Sequence, residues 1–225
     1  MAAHVTHEVR NPLSSIGLNV ELLEEELEGA GAEPRALLRA IQREIDRLTG
    51  VTEEYLRLAR LPAPRLEAER LSDIVEEVGR FVAREFETSN VTLRVEVDAE
   101  QADVAADEPQ IRQALLNLLR NARESMPEGG EVKLECLPMD GGVVIRVSDQ
   151  GEGIPPDKRP HIFDLFYSTK ERGTGLGLPL TMQIVAAHGG TIRCEDAPEG
   201  GTVFTLWFPE SFEEMPATEH ALREE

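Results

Sequence analysis

The sequence predicts a helical hairpin followed by a mixed α+β sandwich with its helices on one face of a sheet. Three observations predict it. Apolar residues in the first quarter of the chain recur at alternating steps of three and four. A Leu61-Pro62-Ala63-Pro64 segment then interrupts that pattern. Beyond it, period-two runs alternate with helical stretches.

The first helix carries Val9, Leu13, Ile16, Val20, Leu23 and Leu27, which form a coiled-coil seam. Glu21, Glu24, Glu25, Glu26 and Glu28 fill much of the rest as a solvated face. Gly29-Ala30-Gly31-Ala32-Glu33-Pro34 breaks the helix. A second seam follows at Leu38, Ile41, Ile45, Leu48, Thr52, Tyr55 and Ala59. A lone hairpin of this length buries little, so two copies are expected to close a four-helix bundle as a homodimer. Pro62 and Pro64 end the hairpin. Ser72 is a candidate cap for a helix whose apolar residues are Ile74, Val75, Val78, Phe81 and Val82. Val91–Val97 alternates as a strand. Asp107-Glu108-Pro109 opens a helix through about Ser125, with proline in its first turn. Strands are expected at Glu131–Leu137 and Gly142–Ser148, then an aperiodic Gly- and Pro-rich stretch from Asp149 to Gly175. A helix from about Leu176 to His188 and strands at Thr191–Glu195 and Thr202–Phe208 complete the unit. The acidic tail after Pro209 is expected to fray. No internal repeat is visible.

Composition excludes several classes. A chain of 225 residues suits one or two domains. Its net charge of −20 argues against a nucleic-acid partner, which needs a basic footprint. Aromatics at 4% are too few for a base-stacking platform. No apolar run reaches the ~20 residues of a membrane span. The start, MAAHVTHEVR, lacks the apolar core of a signal peptide. The expectation is a cytoplasmic chain, or the soluble part of something longer. Cys136 and Cys194 are far apart and have no CxxC partner, so each reads as a thiol on or beneath a strand.

Four constellations carry chemistry. Gly173-Thr174-Gly175-Leu176-Gly177-Leu178 opens a helix after a loop. Such glycines let main-chain N–H groups approach phosphate oxygens at a helix N-terminus, or they form a hinge. The spacing fits neither a P-loop nor a Rossmann turn. Asp149-Gln150-Gly151-Glu152-Gly153-Ile154 ends a strand. Its carboxylate can accept from an exocyclic amine such as that of adenine, with Gly151 and Gly153 leaving room for a ring; the alternative is a turn with a capping Asp. Asn117 and Asn121 share one helix face among leucines. Their amides suit Mg²⁺ bound to a triphosphate, or simply a helix surface. Finally, His7 and Asn11 lie off the first seam, one turn apart, with Pro12 bending the helix. A neutral imidazole nitrogen is available there at pH 7. A zinc-protease motif would need a second His where Asn11 stands.

The order and spacing of these motifs resemble the sensor histidine kinase family over nearly the whole chain. HEVRNPL resembles the H-box, NLLRNARES the N-box, DQGEGIP the first glycine box, FDLFYSTK the F-box and GTGLGL the second glycine box. Glu124 in the N-box and the STK before GTGLGL are most similar to the nitrogen-regulation-type subfamily. The resemblance implies a dimerisation and phosphotransfer hairpin over residues 1–62 and a Bergerat-type ATP-binding domain over 63–210, with 211–225 as the tail. It implies an ATP-dependent protein-histidine kinase core that phosphorylates its own His7. The phosphoryl group then passes to the aspartate of a response-regulator receiver domain, and a phosphatase activity toward that regulator is left open.

Residue by residue, the resemblance makes His7 the phospho-acceptor. Glu8 accepts its Nδ1 proton, and Asn11 positions a water for dephosphorylating the regulator. Asn121 matches the Mg²⁺ ligand, with Asn117 lining the same site. Asp149 matches the adenine-reading carboxylate, with Gly151, Gly153 and Ile154 about the ring. Gly173, Thr174, Gly175, Leu176, Gly177 and Leu178 wrap the phosphates, with Lys170 and Arg172 as charge partners. Thr202 resembles the threonine at the adenine end. Phe163 and Phe166 match the F-box, which packs the lid. Related chaperone, topoisomerase and repair ATPases place a Glu base where Asn117 stands; an amide cannot take a proton from water, which opposes a hydrolytic motor. An adaptor that only docks a partner is opposed by His7, Glu8 and Asn121 together. Two departures stand out. Six residues precede His7, about 9 Å of helix, so a fragment or a partnered soluble kinase is expected. The F-box carries Leu165 and Tyr167 where the subfamily often has Pro and Phe.

Overall fold

The computed structural model describes residues 16–18, 20, 21, 23, 32–98, 103–170, 173–198 and 200–210. The chain divides into two compact units, Met1–Ala63 with His161–Leu180 and Pro64–Pro160 with Thr181–Glu225.

In the first unit, positions 16–18, 20, 21 and 23 are helical, and α1 runs over Ala32–Ala59. Val20 packs with Leu38 and Ile45 in a small buried cluster. Ile16, Leu23, Ile41 and Leu48 are 39–47% exposed. Each seam thus buries one edge and leaves the other facing outward. Thr52 is tolerated in the seam because its hydroxyl donates to the Leu48 carbonyl at 2.7 Å. α1 starts earlier than the glycine-rich break suggests, with Pro34 in its first turn, where a missing N–H costs nothing. Val9, Leu13 and Leu27 lie outside the described residues.

The second unit contains β1 (Glu67–Glu69), α2 (Leu71–Thr88), β2 (Val91–Val97), β3 (Val104–Ala106) and α3 (Glu108–Glu124). There follow β4 (Gly130–Met139), β5 (Gly142–Asp149), most of a 3₁₀ turn at Arg159–His161, most of α4 (Gly177–Ala187), β6 (Thr191–Asp196) and β7 (Thr202–Pro209). Five strands form one sheet in the order β2-β4-β5-β7-β6. Only β2 and β4 are parallel, so α3 lies in the crossover that a parallel pair requires. β1 and β3 form a separate antiparallel pair. At three residues each, they are too short to show a period in the sequence.

The core lies between the sheet and its helices. Register puts Leu134 opposite Val147 and Cys136 opposite Ile145, and those two opposite Phe204 and Leu206. All six are buried. From the helices come Leu71, Val75, Val78, Val82 and Phe86 of α2 and Ile111, Leu115, Leu118 and Ala122 of α3. Two expectations for α2 are corrected. Ser72 is not the cap: Arg70 holds that position and makes no side-chain cap bond. Burial of Leu71 draws Ser72 into the first turn. Phe81 is 71% exposed, whereas Phe86 is buried. The buried stripe runs Leu71, Val75, Val78, Val82, Phe86 at steps of three and four, and Phe81 lies off it.

α3 begins as expected. Asp107 caps it by accepting from the Gln110 N–H at 3.1 Å. The buried His188, just past α4, joins this cap. Its Nδ1 lies 2.7 Å from the Ile184 carbonyl, so Nδ1 carries the proton, and Nε2 accepts the Asp107 N–H at 3.0 Å. Both cysteines are free; Cys136 is buried in β4, and burial pushes the Cys194 thiol on β6 up to about 11. Among the described residues, no helix is long and apolar enough to cross a membrane. His7, Glu8, Asn11, Arg172 and the 211–225 tail lie outside the described residues.

Candidate nucleotide site

The site follows from the strand period. On β5 the core-facing residues run Val143, Ile145, Val147 and then Asp149. On β7 they run Phe208, Leu206, Phe204 and then Thr202. The apolar stripe therefore turns polar at one end of the sheet. Asp149 is 5% exposed there. Its Oδ1 accepts from the Gly151 N–H at 2.9 Å and the Thr202 N–H at 3.3 Å. Ser125 Oγ lies 3.2 Å from the same oxygen and 2.7 Å from the Ala122 carbonyl, so one hydroxyl proton serves two acceptors. Charge-assisted bonds from three directions orient the carboxylate.

Gly201 completes this corner. Its φ is +89°, and a Cβ there would collide with the Asp149 carbonyl oxygen. Only glycine lets β7 approach the end of β5 this closely. Gly153 and Ile154 follow in the loop, Ile154 half-buried and its carbonyl bonded to Arg159 Nε at 2.9 Å. Asn117 and Asn121 are half-buried on α3, one turn apart, and both have polar partners. Asn121 is tied to the corner through the backbone: its carbonyl accepts the Ser125 N–H at 3.1 Å. The structure thus brings Asp149, Gly151, Thr202 and, by way of Ser125, Asn121 into one connected arrangement. Ser125, Gly201 and Arg159 were not legible as site residues. Ser125 is the last residue of the N-box NLLRNARES but was given no role there, Gly201 directly precedes Thr202, and Arg159 lies in no motif.

The second glycine segment belongs to the other compact unit. Phe166 has a φ of +65°, and its N–H donates to the Gly175 carbonyl at 3.0 Å. Gly175, at φ +67°, could carry no Cβ without striking the backbone of Phe166 and Tyr167. The Phe166 ring stacks on Tyr55 of α1 at 5.9 Å. Phe163 is half-buried. Lys170 is exposed, with its N–H on Ser168 Oγ at 3.1 Å, and Gly173 N–H donates to the Lys170 carbonyl at 3.2 Å. Thr174 Oγ1 accepts the Leu176 N–H at 3.4 Å, just before α4 begins at Gly177. Leu176 is buried, while Gly177 and Leu178 are half-buried.

Among the described residues, no cluster of three or more His, Cys, Asp or Glu could hold a metal. Half-buried Asn121 and Asn117 offer amide carbonyls, an oxygen-donor type that suits a hard cation.

Comparison with known proteins places these elements. Residues 1–64 match the His Kinase A (phospho-acceptor) domain, and residues 106–211 match the histidine kinase-, DNA gyrase B- and HSP90-like ATPase family. Sporulation kinase D of Bacillus subtilis is 35% identical over 94% of this chain and 42% of its own length. The full-length ShkA structure in complex with AMPPNP has a TM-score of 0.73 and 30% identity, over 92% of this chain and 45% of that one. The catalytic domain of the histidine kinase ThkA is 33% identical with a TM-score of 0.60, over 65% of this chain and 96% of that one. ThkA in complex with the response regulator TrrA has a TM-score of 0.68 and 29% identity, over 94% of this chain and 61% of that one. The chain belongs to the sensor histidine kinase family. It spans less than half the length of curated relatives such as sporulation kinase D.

Proposed function

We propose that the chain is an ATP-dependent protein-histidine kinase core of the nitrogen-regulation type, acting in the cytoplasm. Residues 1–62 serve as the phosphotransfer hairpin and 63–210 as the ATP-binding domain. The observation that carries this is the Asp149 corner: an oriented, buried carboxylate where the apolar stripe ends, with Gly151 and Thr202 beside it. The AMPPNP bound in the ShkA complex supports a nucleotide as the ligand.

On this reading, Asp149 accepts the adenine amine and Gly153 and Ile154 line the ring. Gly173 to Leu178 present main-chain N–H groups to the phosphates, with Lys170 and Arg172 as countercharges. Mg²⁺, held through Asn121 with Asn117 alongside, would neutralise phosphate charge when bound. Glu8 takes the Nδ1 proton of His7. Nε2 then bonds to the γ-phosphorus as the bond to the departing ADP oxygen breaks. With Asn117 where a hydrolytic enzyme needs a base, the phosphoryl group is kept for His7. The response-regulator partner is supported by the ThkA–TrrA complex. A homodimer would cover the outward edge formed by Ile16, Leu23, Ile41 and Leu48. Incubation with γ-labelled ATP and Mg²⁺ is expected to yield a phosphoprotein that is acid-labile and alkali-stable. Label that survives acid would refute the histidine assignment.

Asn11 allows a sharper test. It stands one turn after His7, and its amide can orient a water without acting as a base. Asn11→Ala is expected to keep most autophosphorylation and lose phosphatase activity toward the cognate regulator. Both rates are measured in the same variant. If they fall together, Asn11 only supports the backbone around Pro12.

A further inference from the structure

We propose that Arg159 is a positioning residue for the nucleotide site: it staples the loop holding Ile154 to the end of the β6–β7 hairpin holding Thr202. The proposal rests on the nucleotide reading above. Arg159 opens the short 3₁₀ turn that follows the first glycine box. Its own N–H and that of Lys158 bond back to the Pro155 carbonyl, at 3.3 and 2.9 Å, which folds the segment over and aims the guanidinium back. Nε donates to the Ile154 carbonyl at 2.9 Å. Nη2 pairs with Asp196, the last residue of β6. Asp196 stands in register with Thr202, and the Thr202 N–H is one of the donors to Asp149 Oδ1.

A circuit follows. From Asp149 the chain runs through Gly151 and Ile154 to Arg159, across the guanidinium to Asp196, over to Thr202, and back to Asp149. Both sides of the adenine corner are tied by one planar cation, two of whose three nitrogens point to two different segments. A lysine offers a point charge and cannot hold both partners in a fixed fork. The charges respond as this geometry requires. The Asp196 bond holds the Arg159 guanidinium still further toward its charged form, and Arg159 holds the Asp196 carboxyl below its usual range. Asp196 is exposed, so the pair adds little to global stability. Its consequence is local: the distance between a loop and a hairpin end that have no ladder hydrogen bond between them.

Arg159→Met keeps the aliphatic stem and removes both bonds. Asp196→Ala removes only the hairpin end of the staple. Arg159→Lys keeps the charge without the fork. Each full-length variant is compared with wild type by amide hydrogen exchange without nucleotide, and by the dependence of autophosphorylation on ATP. For Arg159→Met, we expect faster exchange at both 150–158 and 194–202, with an unchanged melting temperature. We expect KM for ATP to rise about tenfold, the scale of one charge-assisted bond, with kcat at saturating ATP unchanged. Asp196→Ala should have a smaller effect, and the double variant should match Arg159→Met alone. Arg159→Lys should fall between. Unchanged exchange in Arg159→Met overturns the staple. Faster exchange with an unchanged KM, or a fall in kcat instead, overturns its positioning role. A wild-type chain that binds no ATP overturns the functional reading and this proposal with it. Normal wild-type binding with an indifferent Arg159 overturns this proposal alone.

Discussion

His7→Gln is expected to abolish acid-labile phosphorylation while leaving ATP affinity nearly unchanged. The expectation rests on separation. His7 lies within the phospho-acceptor match at 1–64, and Asp149, Gly151 and Thr202 lie within the ATPase match at 106–211. Glutamine keeps length and polarity but has no basic ring nitrogen, so no nucleophile meets the γ-phosphorus. Nothing in the Asp149 corner changes. Labelling with γ-labelled ATP measures the first quantity, and calorimetric titration with AMPPNP and Mg²⁺ measures the second. Equal phosphate incorporation in the variant would remove His7 from the mechanism. Loss of both quantities together would indicate damage beyond the hairpin.

Asp149→Asn should weaken nucleotide binding by about 1–3 kcal/mol, the range for mispairing one buried polar group. The amide oxygen can still accept from Gly151, Thr202 and Ser125. The amide nitrogen, however, is a donor and would face the donor amine of adenine. Asn121→Ala should weaken binding by a similar amount, because it deletes the carbonyl assigned to the metal and leaves the backbone bond to Ser125 intact. On the proposed reading, the two losses arise at opposite ends of the nucleotide. Asp149→Asn should therefore reduce affinity for adenosine and ADP as well as ATP, and Asn121→Ala should matter mainly when Mg²⁺ and the triphosphate are present. Calorimetry with the three ligands separates these cases. Unchanged ATP affinity in both variants would sink the nucleotide site.

These variants probe residues whose kind was legible in the chain and whose partners were not. The seam Leu38, Ile41, Ile45, Leu48 announces α1, because burying one stripe of a helix forces steps of three and four. Val91–Val97 announces β2 by alternation, and Asp107-Glu108-Pro109 announces the start of α3 by its cap. The motif order alone identified the family. Where sequence reading failed, local pattern was overruled by packing. Ser72 looked like a cap but was drawn inward with Leu71, and Phe81 looked like core but lies off the stripe that meets the sheet. The seam also could not say which edge closes within one chain; burial of Val20, Leu38 and Ile45 decided that.

The site shows the division most clearly. Composition and spacing determined that an Asp ends β5 and that glycines surround it. Only the register of β5 on β7 decided that the Thr202 N–H, 53 residues away, meets that carboxylate. Only the docking of α3 decided that Ser125, 24 residues away on the other side, does so too. Arg159 carries no motif at all, and it matters because the fold sets Ile154 and Asp196 within reach of one guanidinium. The physical reason is common to all three. Periodicity records how a residue faces the core, which is a property of its own element. A hydrogen-bond partner from a distant strand or helix is chosen when the elements pack, and no local pattern encodes that choice.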